Sequence, residues 1–186
     1  MPELTTDRLR LRAWDLDDVD FALDMYSRWE VQQFIGTAPR IMADRAEAVA
    51  RVARYRALED PVLGIWLVAD RRTGERHGTL LLKEIPASGP TTPLEPSGEI
   101  EIGWHLHPDS WGRSIATEAA GCALTHAFDG GLERVVAVTH ADNVASQRVA
   151  TRIGMLHHGS TDRFYNATCE LFVAEVDQGA FPVAGG

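Results

Sequence analysis

A strand that passes through a short turn of small residues directly into an amphipathic helix is the feature that most limits how this chain can fold. Polar and apolar residues alternate over residues 99–107, Pro108 ends the strand, and alanines recur at helical spacing from Ala116 onward. Backbone N–H groups at a helix start have no intrahelical partner, and the helix dipole favours an anion there. Gly112 and Ser114 are small enough to let a phosphate approach. The segment therefore predicts either an anion site or an ordinary helix start after a tight turn.

The remaining elements mix strands and helices along the chain. Hydrophobic patterns predict strands at residues 4–13, 62–70, 77–85, 134–139, 156–165 and 168–176. They predict helices ending near Ser27, over residues 43–58, and from a cap at Asn143 to Gly154. Residues 86–98, with four prolines and two glycines, are predicted to be a loop. No repeat or linker divides the chain, so we expect a single mixed α/β domain over residues 1–186.

The first of these strands carries a stripe of arginines. Arg8, Arg10 and Arg12 alternate with apolar residues, so one side of the strand faces the core. Charged residues commonly protect an exposed sheet edge from mispairing. The pattern predicts that residues 4–13 form an edge strand.

The composition argues against several classes of protein. The 27 acidic and 18 basic side chains leave a net charge of -9, which disfavours a surface that follows nucleic-acid phosphates. The longest apolar run, residues 62–69, is too short for a membrane span, and no signal-peptide pattern follows Met1. Two cysteines without CxxC spacing give no disulfide framework or zinc motif. We therefore expect a cytoplasmic protein that binds neither nucleic acid nor membrane.

Short motifs spread over almost the whole chain occur in a fixed order and spacing. They are Thr6-Asp7-Arg8-Leu9-Arg10-Leu11-Arg12, Glu101-Ile102-Gly103-Trp104-His105-Leu106, Pro108, Trp111-Gly112-Arg113, Ala116-Thr117-Glu118-Ala119, Asn143-x-x-Ser146 and Ile153-Gly154-Met155. This ordered set resembles the GNAT superfamily of N-acetyltransferases, and its RimJ/RimL-type branch in particular. The resemblance implies a mixed α/β GNAT fold whose central strands splay apart into a V that holds acetyl-CoA.

The resemblance also assigns residues to the cofactor. The pantetheine arm would pair along the strand end formed by Trp104, His105 and Leu106. The pyrophosphate would lie on the turn and the first residues of the helix, which are Gly112, Arg113, Ser114, Ile115, Ala116 and Thr117. The family usually has glycine or alanine where this chain has Ser114. Its hydroxyl either donates to phosphate or weakens cofactor binding.

Four polar residues of the strand at 99–107 share one side, namely Glu99, Glu101, His105 and His107. We expect this row to face a cavity, although a solvated strand face would show the same pattern. Glu101 matches the position that commonly acts as the base in the family. His105 or His107 is the alternative proton carrier, because histidine titrates near neutrality. No third ligand accompanies the two histidines, so no metal is expected.

The leaving thiolate needs a proton or a hydrogen bond. Many GNAT enzymes use a tyrosine at the position of Ala150, which the RimJ/RimL branch lacks, and the resemblance assigns this role to Ser146. Asn143 would hold the pantetheine or orient Ser146, and it can also cap the helix. Tyr165 is an alternative acid near the end of a closing strand.

The resemblance implies an enzyme that transfers acetyl from acetyl-CoA to a primary amine, by direct attack in a ternary complex. The amine would be a protein N-terminus or belong to a small molecule. One alternative is a non-catalytic protein that binds acyl-CoA, and another is an anion-binding interaction module with no role for CoA. Relatives often form homodimers, and residues 86–98 would suit such an interface.

Overall fold

The computed structural model describes residues 1–176, which form an eight-stranded mixed sheet with helices on both faces. The strands lie in the order β1-β2-β3-β4-β5-β6-β8-β7. Their bounds are β1 Leu4–Thr5, β2 Leu9–Ala13, β3 Gly64–Asp70, β4 Arg76–Pro86, β5 Pro96–Leu106, β6 Arg134–Thr139, β7 Leu156–Phe164 and β8 Ala167–Glu175. Within this sheet β5 and β6 run parallel, and the other neighbouring pairs are antiparallel. The predicted mixed α/β fold class is confirmed.

Five α-helices accompany the sheet in the described part of the chain. They are α1 Val19–Tyr26, α2 Trp29–Gln32, α3 Arg45–Arg56, α4 Ile115–Asp129 and α5 Val144–Arg152. The predicted cap on α5 is confirmed, because the Asn143 side chain accepts a hydrogen bond from the Ser146 backbone N–H. None of the helices between residues 1 and 176 has the length and hydropathy that a membrane crossing requires.

Strand alternation divides the apolar side chains between the two faces of the sheet. On one face Trp66, Leu80 and Ile102 pack against the small residues of α4. On the other face Leu67 and Leu81 pack beneath α1 and α3. Burial at about 25 cal/mol per Å² makes these two layers the main source of stability. These two layers fix the position of β5 between the helices on the two faces of the sheet.

The parallel strands β5 and β6 separate toward their carboxyl ends. Their register contains a single pair, Glu101 with Val136, although both strands continue beyond it. Helices α4 and α5 begin just past the ends of β5 and β6 respectively. In open sheets, ligands bind in the crevice outside the carboxyl ends of such strands. The predicted splaying of the central strands is confirmed, and it defines where a site can form.

Two expectations about the strands are wrong. Residues 4–13 form two strands rather than one edge strand, because β1 folds back on β2 with Leu4 opposite Leu11. The predicted loop at residues 86–98 is shorter, since β4 and β5 stay paired as far as Pro86 and Pro96. A proline at a strand end lacks only one backbone hydrogen-bond donor, so it does not prevent pairing there.

Candidate active site

The start of α4 presents a row of unpaired backbone donors. Gly112 and Ser114 both adopt left-handed conformations, with φ of 71° and 61°. Within residues 1–176, the N–H groups of residues 112–117 make at most weak turn contacts and donate no well-formed hydrogen bond. A Cβ on Gly112 would meet nothing within 4 Å, so the space above this backbone is open. These donors and the dipole of α4 fit a phosphate group.

Buried side chains hold this turn in place. His77 is fully buried, and its Nδ1 lies 2.9 Å from the Ser110 hydroxyl oxygen. The His77 carbonyl accepts from the His107 N–H at 2.9 Å, and the Trp111 indole donates to the Leu106 carbonyl at 3.0 Å. Burial lowers the pKa of His77, so the ring stays neutral. Sequence patterns do not reveal the two His77 contacts, because they join residues 30 and 33 positions apart.

Arg113 is already engaged by a carboxylate. Its guanidinium donates to Glu75 at 2.9 Å, and both side chains are about half exposed. An exposed pair of this kind is worth little and can open for a ligand. Arg113 is thus available to a phosphate only in competition with Glu75.

Glu101 lies in a compact cluster with two donors. Lys83 stands directly opposite it in the β4–β5 register, and Tyr165 reaches it from the tight turn between β7 and β8. The Tyr165 hydroxyl donates to Glu101 Oε2 at 2.5 Å, and Lys83 Nζ lies 3.3 Å from the same oxygen. Lys83 Nζ also donates to the Tyr165 hydroxyl at 2.8 Å. Within residues 1–176, Oε1 of Glu101 receives no hydrogen bond, so one oxygen remains free.

Tyr165 stays a donor in this cluster. Burial, and after it the negative charge of Glu101, raise the pKa of Tyr165 far above its ordinary value. The phenol therefore remains protonated at neutral pH and can donate its hydrogen bond to Glu101. The sequence identified Tyr165 only as an alternative acid and did not connect it with Glu101. No local pattern connects Tyr165 or Lys83 with Glu101, because their contacts depend on the β4–β5 register and on the turn between β7 and β8.

His105, a candidate histidine of β5, is less suited to carry protons. His105 Nδ1 lies 3.1 Å from the buried Tyr26 hydroxyl. Burial of the ring, with smaller effects from Arg51 and Lys83, lowers the pKa of His105 to about 3. The premise that His105 titrates near neutrality is therefore wrong for this site.

The rest of the polar row is satisfied by protein partners rather than facing an open cavity. His107 lies 3.1 Å from Asp24 through Nε2, and its Nδ1 accepts from the Asp109 N–H. Glu99 pairs with Arg134 at 2.9 Å. The expectation of a cavity along the whole row is wrong, and Glu101 is the member whose carboxylate keeps an oxygen without a partner among residues 1–176.

Two further candidates lie at the start of α5. Asn143 Oδ1 accepts from the Ser146 N–H at 3.2 Å, which fixes the first turn of the helix. The Ser146 side chain is partly exposed, and its hydroxyl makes no hydrogen bond within residues 1–176. The structure thus brings Asn143 and Ser146 to the carboxyl end of β6, on the far side of the crevice from α4.

A metal centre is not apparent at this crevice. Over the described residues, no group of three or more histidine, cysteine, aspartate or glutamate side chains could hold a metal ion. The polar groups at the crevice are instead backbone N–H groups, one carboxylate and hydroxyl groups. This set suits an anionic ligand and a proton transfer.

Comparison with known proteins agrees with this arrangement. The model of the acetyltransferase (GNAT) domain family matches residues 8–156. The chain is 29% identical over 160 residues to the uncharacterized N-acetyltransferase YoaA of Bacillus subtilis, covering 85% of both chains.

Solved structures share the fold. A GNAT-family acetyltransferase from Bacillus anthracis superposes with a TM-score of 0.72 at 19% identity, over 92% of this chain and 96% of that one. RimL, a ribosomal L7/L12 α-N-protein acetyltransferase solved with coenzyme A, gives a TM-score of 0.74 at 20% identity, over 95% and 99% of the two chains. The family match covers most of the sequence and includes both sides of the crevice. The chain belongs to the GNAT acetyltransferase family and is an acetyl-CoA-dependent N-acetyltransferase.

Proposed function

We propose that this enzyme transfers acetyl from acetyl-CoA to a primary amine by direct attack in a ternary complex, with Glu101 as the base. The observation that carries the proposal is the position of Glu101. It lies where β5 and β6 separate, Oε1 has no partner in the described part of the chain, and Tyr165 and Lys83 hold Oε2. A carboxylate fixed in this way can accept a proton from an amine directly or through one water molecule.

Acetyl-CoA supplies the thioester whose acetyl group is transferred. The free N–H groups at the start of α4, together with the side chains of Arg113 and Ser114, would hold its pyrophosphate. The strand end at Trp104, His105 and Leu106 would pair with its pantetheine arm, since β6 has separated from β5 there. Ser146 would donate to the departing sulfur, and Asn143 would keep Ser146 in position.

The demand on Glu101 depends on the acceptor. An α-amine with a pKa of about 7.8 is roughly one-seventh neutral at pH 7, a cost of about 1 kcal/mol. A lysine amine near 10.4 is neutral about once in 2,500 molecules, a cost of about 4.6 kcal/mol. A single carboxylate therefore favours a protein N-terminus or a weakly basic small-molecule amine.

Titration of acetyl-CoA into the protein by calorimetry tests the cofactor site. We expect micromolar or tighter binding, about -8 kcal/mol, with inorganic phosphate binding far more weakly. Equally weak binding of acetyl-CoA and phosphate would favour an anion-binding module instead. Tight binding without turnover on a panel of peptides and small amines would favour a non-catalytic acyl-CoA-binding protein.

Ser146→Ala is expected to lower kcat about ten-fold, because the sulfur loses one hydrogen bond worth about 1.4 kcal/mol. Acetyl-CoA affinity should change little, since Asn143 still caps α5. Steady-state kinetics on an amine substrate measure the effect. Ser160→Ala, an exposed serine of β7, is the matched control and should leave kcat unchanged. An unchanged kcat in Ser146→Ala would show that Ser146 does not donate a hydrogen bond to the departing sulfur.

Ser114→Gly is expected to stabilise the protein by about 0.5–1 kcal/mol. The left-handed conformation costs a serine about 1–2 kcal/mol, and glycine removes this cost. Glycine also loses more conformational entropy on folding, which offsets part of the gain. Thermal unfolding should show a rise in Tm of about 2 °C. Ser160→Gly, at a position without a positive φ, should lower Tm instead. A fall in Tm for both variants would contradict the strain at Ser114.

A further inference from the structure

The chain has one lysine, and the fold places it against the proposed base. Lys83 Nζ lies 3.3 Å from Glu101 Oε2, and the Lys83 side chain is 30% exposed. The cross-strand pair of Lys83 and Glu101 in β4 and β5 fixes this contact. A primary amine thus lies beside the carboxylate that we assign to the removal of a proton from an amine.

We propose that Lys83 is a self-acetylation site, at which the enzyme transfers acetyl from acetyl-CoA to its own Nζ. This inference rests on the proposed function, because it uses Glu101 as the base. The other amine, the α-amino group of Met1, belongs to a residue that packs with the opposite, α4-facing core. It therefore lies apart from the Glu101 cluster, and the modification should be confined to Lys83.

The step balances with the groups present and acetyl-CoA. The Lys83 ammonium passes one proton to Glu101, and the freed electron pair of Nζ forms a bond to the acetyl carbonyl carbon. The bond from that carbon to sulfur breaks, and its electron pair leaves on the sulfur. The second amine proton goes to this sulfur, which gives the free thiol of CoA. Glu101 then releases its proton to water.

The lysine is held rather than free, which makes the transfer slow compared with that to an external amine. Lys83 Nζ donates to the Tyr165 hydroxyl at 2.8 Å and to the Glu84 carbonyl at 3.3 Å. Both hydrogen bonds must loosen before Nζ can attack. Acetylation would convert the ammonium to a neutral amide, so Glu101 would keep only the Tyr165 donor on Oε2. The modified enzyme would differ in the charge of its active site.

Tryptic digestion of the purified protein after incubation with acetyl-CoA tests the proposal. Trypsin cleaves after Lys83 only while it is unmodified, which releases residues 77–83. We expect this peptide to disappear, and residues 77–113 to appear carrying one acetyl group, because Arg113 is the next cleavage site. Lys83→Arg keeps the cation and should gain no acetyl group at all.

Two comparisons separate catalysis from chemical acylation. Glu101→Gln should slow the acetylation of Lys83 about 100-fold, and protein unfolded in urea should react no faster than this variant. Equal rates in the native and the unfolded protein would overturn the proposal, as would acetylation at Met1 alone. An enzyme that binds acetyl-CoA and acetylates an external amine, yet leaves Lys83 unmodified, would overturn this inference alone. Failure to bind acetyl-CoA would overturn the proposed function first.

Discussion

Glu101→Gln is expected to lower kcat about 100- to 10,000-fold, which is the usual contribution of a general base. The glutamine has the same shape and can still accept the hydrogen bond from Tyr165, to which Lys83 also donates, so the cluster should survive. It cannot take a proton from the substrate amine. Affinity for acetyl-CoA should stay within about two-fold, because the cofactor is assigned to α4 and the end of β5. Kinetics and calorimetry on the same preparation measure both quantities.

Glu99→Gln is the matched control for this variant. Glu99 lies on the same side of β5, two residues away, and pairs with Arg134 and Arg163 rather than with the cluster. Since Glu99 does not contact the cluster, we expect kcat to stay within about two-fold of the wild type. Loss of its ion pairs should lower the free energy of unfolding by at most about 1 kcal/mol. Comparable activity in Glu101→Gln and the wild type would rule out Glu101 as the base. An equal loss in both variants would point to a general effect of charge.

The turn before α4, which we assign to the pyrophosphate, could be predicted from the sequence because its determinants are local. A strand end, a left-handed glycine and a helix start lie within about ten residues, and each has a recognisable residue type. The same holds for β6, whose predicted bounds at residues 134–139 match the structure at both ends. The Asn143 cap belongs to this class too, since a cap depends on neighbours three residues away.

The Glu101 cluster could not be predicted in the same way. Lys83 and Tyr165 are 82 residues apart, and they meet only through the β4–β5 register and the turn between β7 and β8. Neither the register nor the turn geometry follows from local patterns. The histidines show the same limit, because the partners that fix His105 and His107 come from α1 and the loops rather than from β5. A residue type suggests a chemistry, but burial and partners decide whether that chemistry is available.

Asp18→Asn is expected to destabilise the protein by about 3 kcal/mol, a fall in Tm of roughly 6–12 °C. Asp18 is fully buried and joins two strands to the start of α1. It accepts from Arg12 at 2.7 and 2.9 Å, from Arg76 at 2.6 Å and from the Asp15 N–H at 2.8 Å. Asparagine leaves two arginines without a carboxylate. This loss of stability should lie at the lower end of the range of about 3–5 kcal/mol for breaking a buried ion pair, because both arginines are partly exposed.

The loss of stability caused by Asp18→Asn should become smaller as the pH falls. Burial raises the pKa of Asp18, but hydrogen bonds from Arg12 and Arg76 lower it by more, so the net pKa lies below its ordinary value. A carboxyl group with a lowered folded-state pKa stabilises the protein above its unfolded-state pKa, and this contribution is lost as the pH falls through the folded-state value. The difference in stability between wild type and variant should therefore be constant near pH 7 and shrink below about pH 4.

Glu3→Gln provides the control for this pH dependence, because Glu3 forms an exposed pair with Arg10. Its removal should change stability by less than about 0.5 kcal/mol at any pH. Thermal unfolding of the three proteins from pH 3 to pH 8 measures the comparison. A gap between wild type and Asp18→Asn that stays constant down to pH 3 would show that the carboxylate charge is not what Asp18 contributes. The loss would then come from the packing and hydrogen-bond geometry of the site, which Asn alters at every pH.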